Sequence, residues 1–62
     1  MTSHFYVFKD GCYILLAAKY IKCIPPLNTS VEYAGERYIV ENIEFDLDLC
    51  IYHIYLRESF KI

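Results

Sequence analysis

A two-residue alternation in positions 50–57 is the feature that most constrains what this chain can fold into. On one parity every side chain is apolar, and these residues are Cys50, Tyr52, Ile54 and Leu56. On the other parity the character is mixed, and these residues are Ile51, His53, Tyr55 and Arg57. Because successive side chains of a β-strand point to opposite faces, the pattern predicts a strand at residues 50–56 with one face in a hydrophobic core.

Two further predicted strands precede this one, and together the three form a β-meander. The first covers residues 31–34 and the second covers residues 37–45, with Gly35 supplying the positive φ of a tight turn between them. In the second strand the apolar parity changes near Glu41-Asn42, which requires a β-bulge or a sharp bend. Asp46 and Asp48 suit the next turn, because their short carboxylates can bond the backbone two residues further on.

The first part of the chain predicts a β-hairpin. Residues 4–9 are dense in apolar side chains, which suits a strand that is covered on both sides. The pair Asp10-Gly11 follows, and such a pair between apolar runs is a strong hairpin signal because both turn positions favour positive φ. A second strand is therefore expected from Cys12 to about Ala17.

Residues 18–23 leave two alternatives open, a continuing bent strand or a short helical turn. Alternate positions up to Tyr20 fit a strand, whereas the spacing of Ile14, Ala17, Ala18 and Ile21 also matches a helical stripe. Pro25-Pro26 ends either element, since proline cannot donate to a ladder. The predicted fold is all-β and mainly antiparallel, a small five-stranded barrel or meander forming one domain over residues 1–62.

Length and composition predict self-association. For 62 residues, hydrophobic burial and conformational entropy nearly cancel, each being on the order of 95 kcal/mol. The chain is 56% hydrophobic and 18% aromatic, which is more apolar surface than a monomer of this size buries easily. We therefore expect a homo-oligomer, most simply a dimer with two-fold symmetry.

Net charge and cysteine content indicate which classes of partner and which cellular compartment to expect. The net charge is −2 and the six basic residues are scattered, which disfavours a nucleic-acid polymer as partner. There is no run of 18 apolar residues and no signal-peptide pattern, so no membrane partner is predicted. Cys12, Cys23 and Cys50 match no zinc or redox spacing, and we expect three free, buried thiols in a reducing cytoplasm.

No motif in the sequence predicts an enzyme, a cofactor or a metal site. Cys50 and His53 are three apart in a predicted strand and therefore point to opposite faces, so they cannot act as a thiolate–imidazolium pair. The carboxylates at positions 41, 44, 46 and 48 lack the further oxygen donors and the glycine of a calcium loop. His53 alone is about five times more probable as a surface or groove histidine than as a ligand or base.

The seven tyrosines are the unusual feature of the composition. Tyrosine fills protein interfaces at low entropic cost and stacks on planar ligands, although each single tyrosine is more simply explained as filling the rim of a small core. The outward face of the last strand gives the strongest candidate cluster, Tyr55 with His53 and Arg57. Tyr20 with Lys19 and Lys22 is the one local basic and aromatic group, for which a solvated edge is favoured about four to one. The predicted binding residues are Tyr55, His53, Arg57, Tyr20 and Lys22.

About half of the chain resembles a known group of small proteins. The residues concerned are Ile24-Pro25-Pro26, then Val31 and Tyr33 before Gly35, Tyr38-x-Val40-x-x-Ile43-x-Phe45-Asp46-Leu47-Asp48, and Ile51-x-His53-x-Tyr55-Leu56. This pattern resembles the short SH3-like-barrel polypeptides of phage and mobile-element genomes. The glycine–acid pair usual after the proline turn is replaced here by Asn28-Thr29-Ser30. The resemblance implies a non-enzymatic adaptor or inhibitor, including anti-defence proteins that occupy a host protein or sequester a signalling nucleotide.

Two functional classes follow from these observations. The first is a binding module or inhibitor that docks on a larger protein through an aromatic patch or a strand edge. The second is a homo-oligomer that sequesters a nucleotide-like small molecule in a tyrosine-lined pocket between subunits. Convergence of Arg57, His53 and tyrosines of two subunits into one concave site favours the second class, and a flat or convex aromatic patch favours the first. A structural role in a larger particle is a third alternative.

Overall fold

The computed structural model describes residues 1–59, which form one five-stranded sheet curled into a half-barrel. The strands are β1 (Thr2–Lys9), β2 (Cys12–Tyr20), β3 (Ser30–Tyr33), β4 (Glu36–Asp46) and β5 (Ile51–Glu58). Their order across the sheet is β2-β1-β5-β4-β3, with β1 and β5 parallel and every other neighbouring pair antiparallel. The predicted all-β, mainly antiparallel fold is confirmed.

Two tight turns have the backbone that their sequences favour. Asp10 and Gly11 have φ of 51° and 83°, and Lys9 pairs with Cys12 across them. Ala34 and Gly35 have φ of 52° and 80°. Positive φ at both central residues matches the right-handed twist of the flanking strands. The hairpin at Asp10-Gly11 and the turn at Gly35 are thus confirmed, while the positive φ of Ala34 has no sequence signal.

The predicted change of parity in β4 is a β-bulge. Pairing of β4 with β5 shifts between Val40 and Asn42, and Glu41 is the extra residue. Val40 therefore pairs with Leu56 on one side of the bulge, while Ile43 pairs with Ile54 on the other. The bulge keeps both apolar runs of β4 facing the inside of the curved sheet.

The core lies on the concave side of the sheet. Its buried apolar residues are Val7, Tyr38, Val40, Ile54 and Leu56. The segment of residues 21–29 runs from edge strand β2 to edge strand β3, and its Ile21 and Ile24 pack against this core. Backbone hydrogen bonds of Asn28 and Thr29 with Val40 hold the segment on β4. The alternation in β5 is therefore the core pattern, as predicted.

The structure decides one open alternative and corrects two expectations. Residues 18–20 continue β2 as a strand, which was one of the two alternatives, and no helix occurs within residues 1–59. The three cysteines are exposed, not buried, because Cys12 lies beside a turn, Cys50 lies within the turn that precedes β5, and Cys23 lies in the connection after β2. The face of β1 opposite the core is only partly covered, and Phe8 on it is exposed.

The described part of the chain contains no helix long and apolar enough to cross a membrane.

Candidate functional site

The convex face of the sheet carries a continuous group of aromatic rings, which we call the aromatic patch. Its members are His4, Tyr6 and Phe8 of β1, Tyr13 of β2, and His53 and Tyr55 of β5. They occupy the strand positions that alternate with the core residues, so they point away from the core. The two faces of β1 and β5 therefore differ: the inner face carries the buried aliphatic residues with Phe5 and Tyr52 packed against them, and the outer face carries the contacting rings of the patch.

The parallel pairing of β1 with β5 builds the centre of the patch. Its register sets His4 beside His53 and Tyr6 beside Tyr55. The rings of Tyr6 and Tyr55 are stacked, with centroids 5.1 Å apart and planes 19° apart. The two imidazoles meet edge to face at 5.7 Å. Tyr13 adds a third phenol, whose ring lies 4.9 Å from that of Tyr55.

A chain of polar contacts orients the central rings. Asp46 Oδ2 lies 3.6 Å from His53 Nε2, and the hydroxyl of Tyr6 lies 2.8 Å from His53 Nδ1. Since the carboxylate favours a proton on Nε2, we assign Nδ1 as the acceptor of the Tyr6 O–H. His4 Nδ1 lies 3.5 Å from the same hydroxyl. These contacts restrict the rotamers of Tyr6 and His53, which are both partly exposed.

An acidic row borders the patch on β4, formed by Glu41, Glu44 and Asp46. Tyr55 donates its O–H to Glu44 at 2.8 Å, and Tyr13 donates to Glu41 at the same distance. The bond to Glu44, with burial and nearby charge adding, raises the pKa of Tyr55 to about 12. The bond to Glu41 raises the pKa of Tyr13 for the same reason. Both phenols are therefore neutral hydrogen-bond donors at physiological pH.

The turn between β4 and β5 holds the end of the acidic row. The backbone N–H of Leu49 donates to Asp46 Oδ1 at 3.1 Å, as expected for a short carboxylate in a turn. This bond is the main cause that lowers the pKa of Asp46, and the contact with His53 adds to it. Asp46 is therefore ionised at physiological pH, and its contact helps to orient the His53 ring.

A separate groove lies on the concave side, where the two edge strands approach each other. It has a volume of about 180 Å³, and its walls come mainly from β2, β3 and Ile21, with Phe5 and Leu56 between them. Lys19 Nζ lies 5.9 Å from the centroid of the Tyr33 ring, and both residues line the groove. The groove is thus mainly apolar, and its polar walls are the Lys19 ammonium, the Glu32 carboxylate and the Tyr33 phenol.

The structure brings some of the predicted site residues together and separates others. His53 and Tyr55 lie at the centre of the aromatic patch, and Arg57 lies at its border with Nε 4.0 Å from Glu41 Oε2. Tyr20 lies in register with Thr2 at the end of β2, is 80% exposed, and makes no ring contact within residues 1–59. Lys22 follows it in the exposed connection. Binding by these five residues stays a prediction.

Sequence reasoning missed the contribution of β1 and β2 to the patch. His4, Tyr6 and Phe8 alternate with the inward residues of β1, so their common face was a visible signal. Their place beside His53 and Tyr55 was not visible, because it depends on the parallel β1–β5 pair.

No three or more His, Cys, Asp or Glu side chains within the described chain are arranged to hold a metal ion.

Comparison with protein-family models, with curated proteins and with solved structures finds no match for this chain.

Proposed function

We propose that this protein is a non-enzymatic binding protein that docks on a larger protein through the aromatic patch, as an inhibitor or adaptor of the phage or mobile-element kind. The observation that carries the proposal is the convex location of the patch. Tyr55 and His53 stand with Tyr6 on the outside of the half-barrel and not in a concave pocket. A convex surface of oriented tyrosines suits a protein partner, because tyrosine contributes large contact area with few rotatable bonds.

The charges around the patch indicate the chemistry of the partner surface. Glu41, Glu44 and Asp46 line one side of it, and Arg57 at its border is paired with Glu41. Partly exposed tyrosine rings beside carboxylates attract arginine and lysine side chains through cation–π and ionic contacts. We therefore propose that the partner presents arginine or lysine at its contact surface.

The hydrogen bonding of the patch supports binding rather than catalysis. The phenols of Tyr13 and Tyr55 donate to carboxylates that raise the pKa of each, which disfavours a nucleophilic phenolate at neutral pH. The Tyr6 hydroxyl is engaged by His53. Rings that are held in this way present fixed faces, and fixed faces lower the entropic cost of association.

Comparative affinity capture from the cells that naturally make the protein tests this proposal. Wild type, Tyr55→Ala and Tyr33→Ala are immobilised as full chains, and proteins retained by wild type but not by Tyr55→Ala are purified. We expect Tyr55→Ala to weaken binding of the purified partner at least about 10-fold, which is about 1.4 kcal/mol. Raising the salt concentration is expected to weaken the wild-type complex, because Glu41 and Glu44 of the acidic row are exposed to solvent.

Tyr33→Ala is the matched control, since Tyr33 is also partly exposed but lies on β3 beside the groove. It should bind the partner as wild type does. A partner bound equally well by wild type and Tyr55→Ala contradicts the proposal. So does the absence of any protein that distinguishes these two baits.

The groove between β2 and β3 supports a second candidate, sequestration of a nucleotide-like small molecule. Lys19 and Tyr33 are suited to a phosphate and a planar base. A volume of about 180 Å³ is well below the 300–1,000 Å³ typical of ligand pockets, so one chain accommodates about one ring. This candidate therefore requires a second subunit to complete the pocket, and we rank it below protein docking.

Native mass spectrometry of gently purified protein tests the second candidate. An added mass of a few hundred daltons that is present in wild type and Tyr55→Ala but lost in Lys19→Ala would favour sequestration in the groove. A spectrum without added mass, together with no binding of added nucleotides, would contradict it.

A further inference from the structure

The two edges of the half-barrel differ in how they are protected. Within residues 1–59, β2 and β3 each have one neighbouring strand and one free edge. β3 is only four residues long, carries Glu32, and is followed by Glu36 and Arg37. Short length and charge are the usual protections of an edge strand. β2 is nine residues long and contains a single charged residue, Lys19.

The first half of β2 exposes apolar side chains on both faces of the sheet. Tyr13, Ile14 and Leu15 are 43%, 47% and 54% exposed. Ile14 pairs with the core residue Val7, so it lies on the concave face, while Tyr13 and Leu15 lie on the convex face. A long, apolar and unprotected edge is suited to pairing with another strand, because its free N–H and C=O groups need partners.

We propose that β2 pairs antiparallel with β2 of a second copy of this chain, across a two-fold axis that passes beside Ile14. The two half-barrels then share one ten-stranded sheet. The proposal does not depend on the function of the aromatic patch.

Backbone geometry places the axis at Ile14. In a hairpin with a two-residue loop, the residues flanking the loop exchange hydrogen bonds, so the backbone groups of Cys12 and Ile14 point towards β1. Those of Tyr13 and Leu15 point to the free edge. With the axis at Ile14, Tyr13 of each copy exchanges two hydrogen bonds with Leu15 of the other. Ile14 then faces its own symmetry mate in a non-hydrogen-bonded pair, the closer kind of pair.

The same arrangement explains why the strand that pairs with the free edge of β2 comes from a second copy of this chain. All three exposed apolar residues are covered at once, Ile14 by Ile14 and Tyr13 by Leu15. The two Lys19 side chains would be about ten residues apart along the paired strands, or roughly 33 Å, well beyond the Debye length at physiological salt. Residue Leu16 forms a bulge between the paired residues Leu15 and Ala17, so the pairing ends there.

Sedimentation velocity of the full chain across a dilution series tests the oligomeric state. We expect wild type to sediment as a dimer, and Ile14→Lys to sediment as a 7.4 kDa monomer because two ammonium groups would face each other across the axis. Leu49→Lys is the control, since Leu49 is 66% exposed in the turn between β4 and β5, and it should remain dimeric. Circular dichroism checks that each variant retains its sheet.

Disulfide trapping tests the position of the axis independently of the lysine variant. In a background with Cys12→Ser, Cys23→Ser and Cys50→Ser, all exposed positions, a cysteine introduced by Ile14→Cys should form a covalent dimer on mild oxidation. Ala18→Cys, also exposed on β2, should not. Wild type that remains monomeric throughout, a dimer that persists in Ile14→Lys, or equal cross-linking at both positions would overturn the proposal.

Discussion

The two faces of β1 and β5 have different compositions although they share the same backbone. The concave face carries Val7, Ile54 and Leu56, all buried in the core, with Phe5 and Tyr52 packed against them. The convex face carries Tyr6 and Tyr55, stacked on each other and partly exposed. A sheet in a monomer of this size needs only one apolar face, so aromatic rings on the other face are not explained by the requirements of folding alone.

The two faces also differ in whether their polar side-chain groups have hydrogen-bond partners. On the convex face the phenols of Tyr6, Tyr13 and Tyr55 each have a hydrogen-bond partner. On the concave face Ser3 is fully buried, and its hydroxyl has no partner within residues 1–59. The concave face therefore stabilises the fold by excluding water from apolar side chains. The convex face stabilises it through hydrogen bonds and contacts between rings.

The largest expected change in the free energy of unfolding comes from a substitution at the centre of the concave face. Ile54→Ala should lower the free energy of unfolding by about 2 to 4 kcal/mol, because Ile54 is fully buried and its truncation leaves a cavity. Urea denaturation followed by circular dichroism measures the change. Leu49→Ala, at an exposed turn position, should cost less than about 0.5 kcal/mol. Similar losses in both variants would mean that the concave face is not the core.

A smaller loss of stability is expected from a substitution on the convex face. Tyr55→Ala removes one stacked ring, one edge contact and the bond to Glu44, and should cost about 1 to 2 kcal/mol while the chain stays folded. The same urea titration gives the value. An unfolded Tyr55→Ala variant would show that the convex rings belong to the core and would remove the distinction between the faces.

Replacing the buried hydroxyl of the concave face should stabilise the protein. Ser3→Ala removes a polar atom without a partner and should raise the free energy of unfolding by about 1 kcal/mol. Thr2→Ala, at the exposed neighbouring position, should change it little. Thermal denaturation of the two variants provides the measurement, and a destabilised Ser3→Ala variant would indicate that the hydroxyl is hydrogen-bonded in solution.

The smallest expected change in stability is the one that accompanies alkaline titration of Tyr55 on the convex face. The pKa of Tyr55 in the folded chain is about 12, above the ordinary value of 10.0, so its protonated form is favoured by folding. This stabilisation is complete below pH 10 and is lost as the pH rises from about 10 to about 12. The tyrosinate absorbance of wild type minus that of Tyr55→Phe should therefore show a late titration. A difference centred near pH 10 would mean that the bond to Glu44 is absent in solution.

Local rules predicted much of the fold because they act within a few residues. The alternation in β5, the parity change at Glu41-Asn42 and the Asp10-Gly11 turn each follow from steric preferences of the strand or turn itself. The predicted burial of the cysteines was wrong because apolar character alone does not decide burial: Cys12 lies beside a turn and Cys50 lies within one. The helical alternative for residues 18–23 was lost because pairing with β1 as far as Thr2 outweighs helix propensity there.

The candidate site was only half predictable. Periodicity alone set Tyr55, His53 and Arg57 on one face of a strand, and the same rule applied to β1 gives His4, Tyr6 and Phe8. The sequence by itself therefore determined which side chains share a face, since that is fixed by the two-residue repeat of the backbone. Only the tertiary structure decided which faces meet. The parallel β1–β5 pair joins residues about 50 positions apart, and such long-range pairing depends on how the whole chain closes around its core.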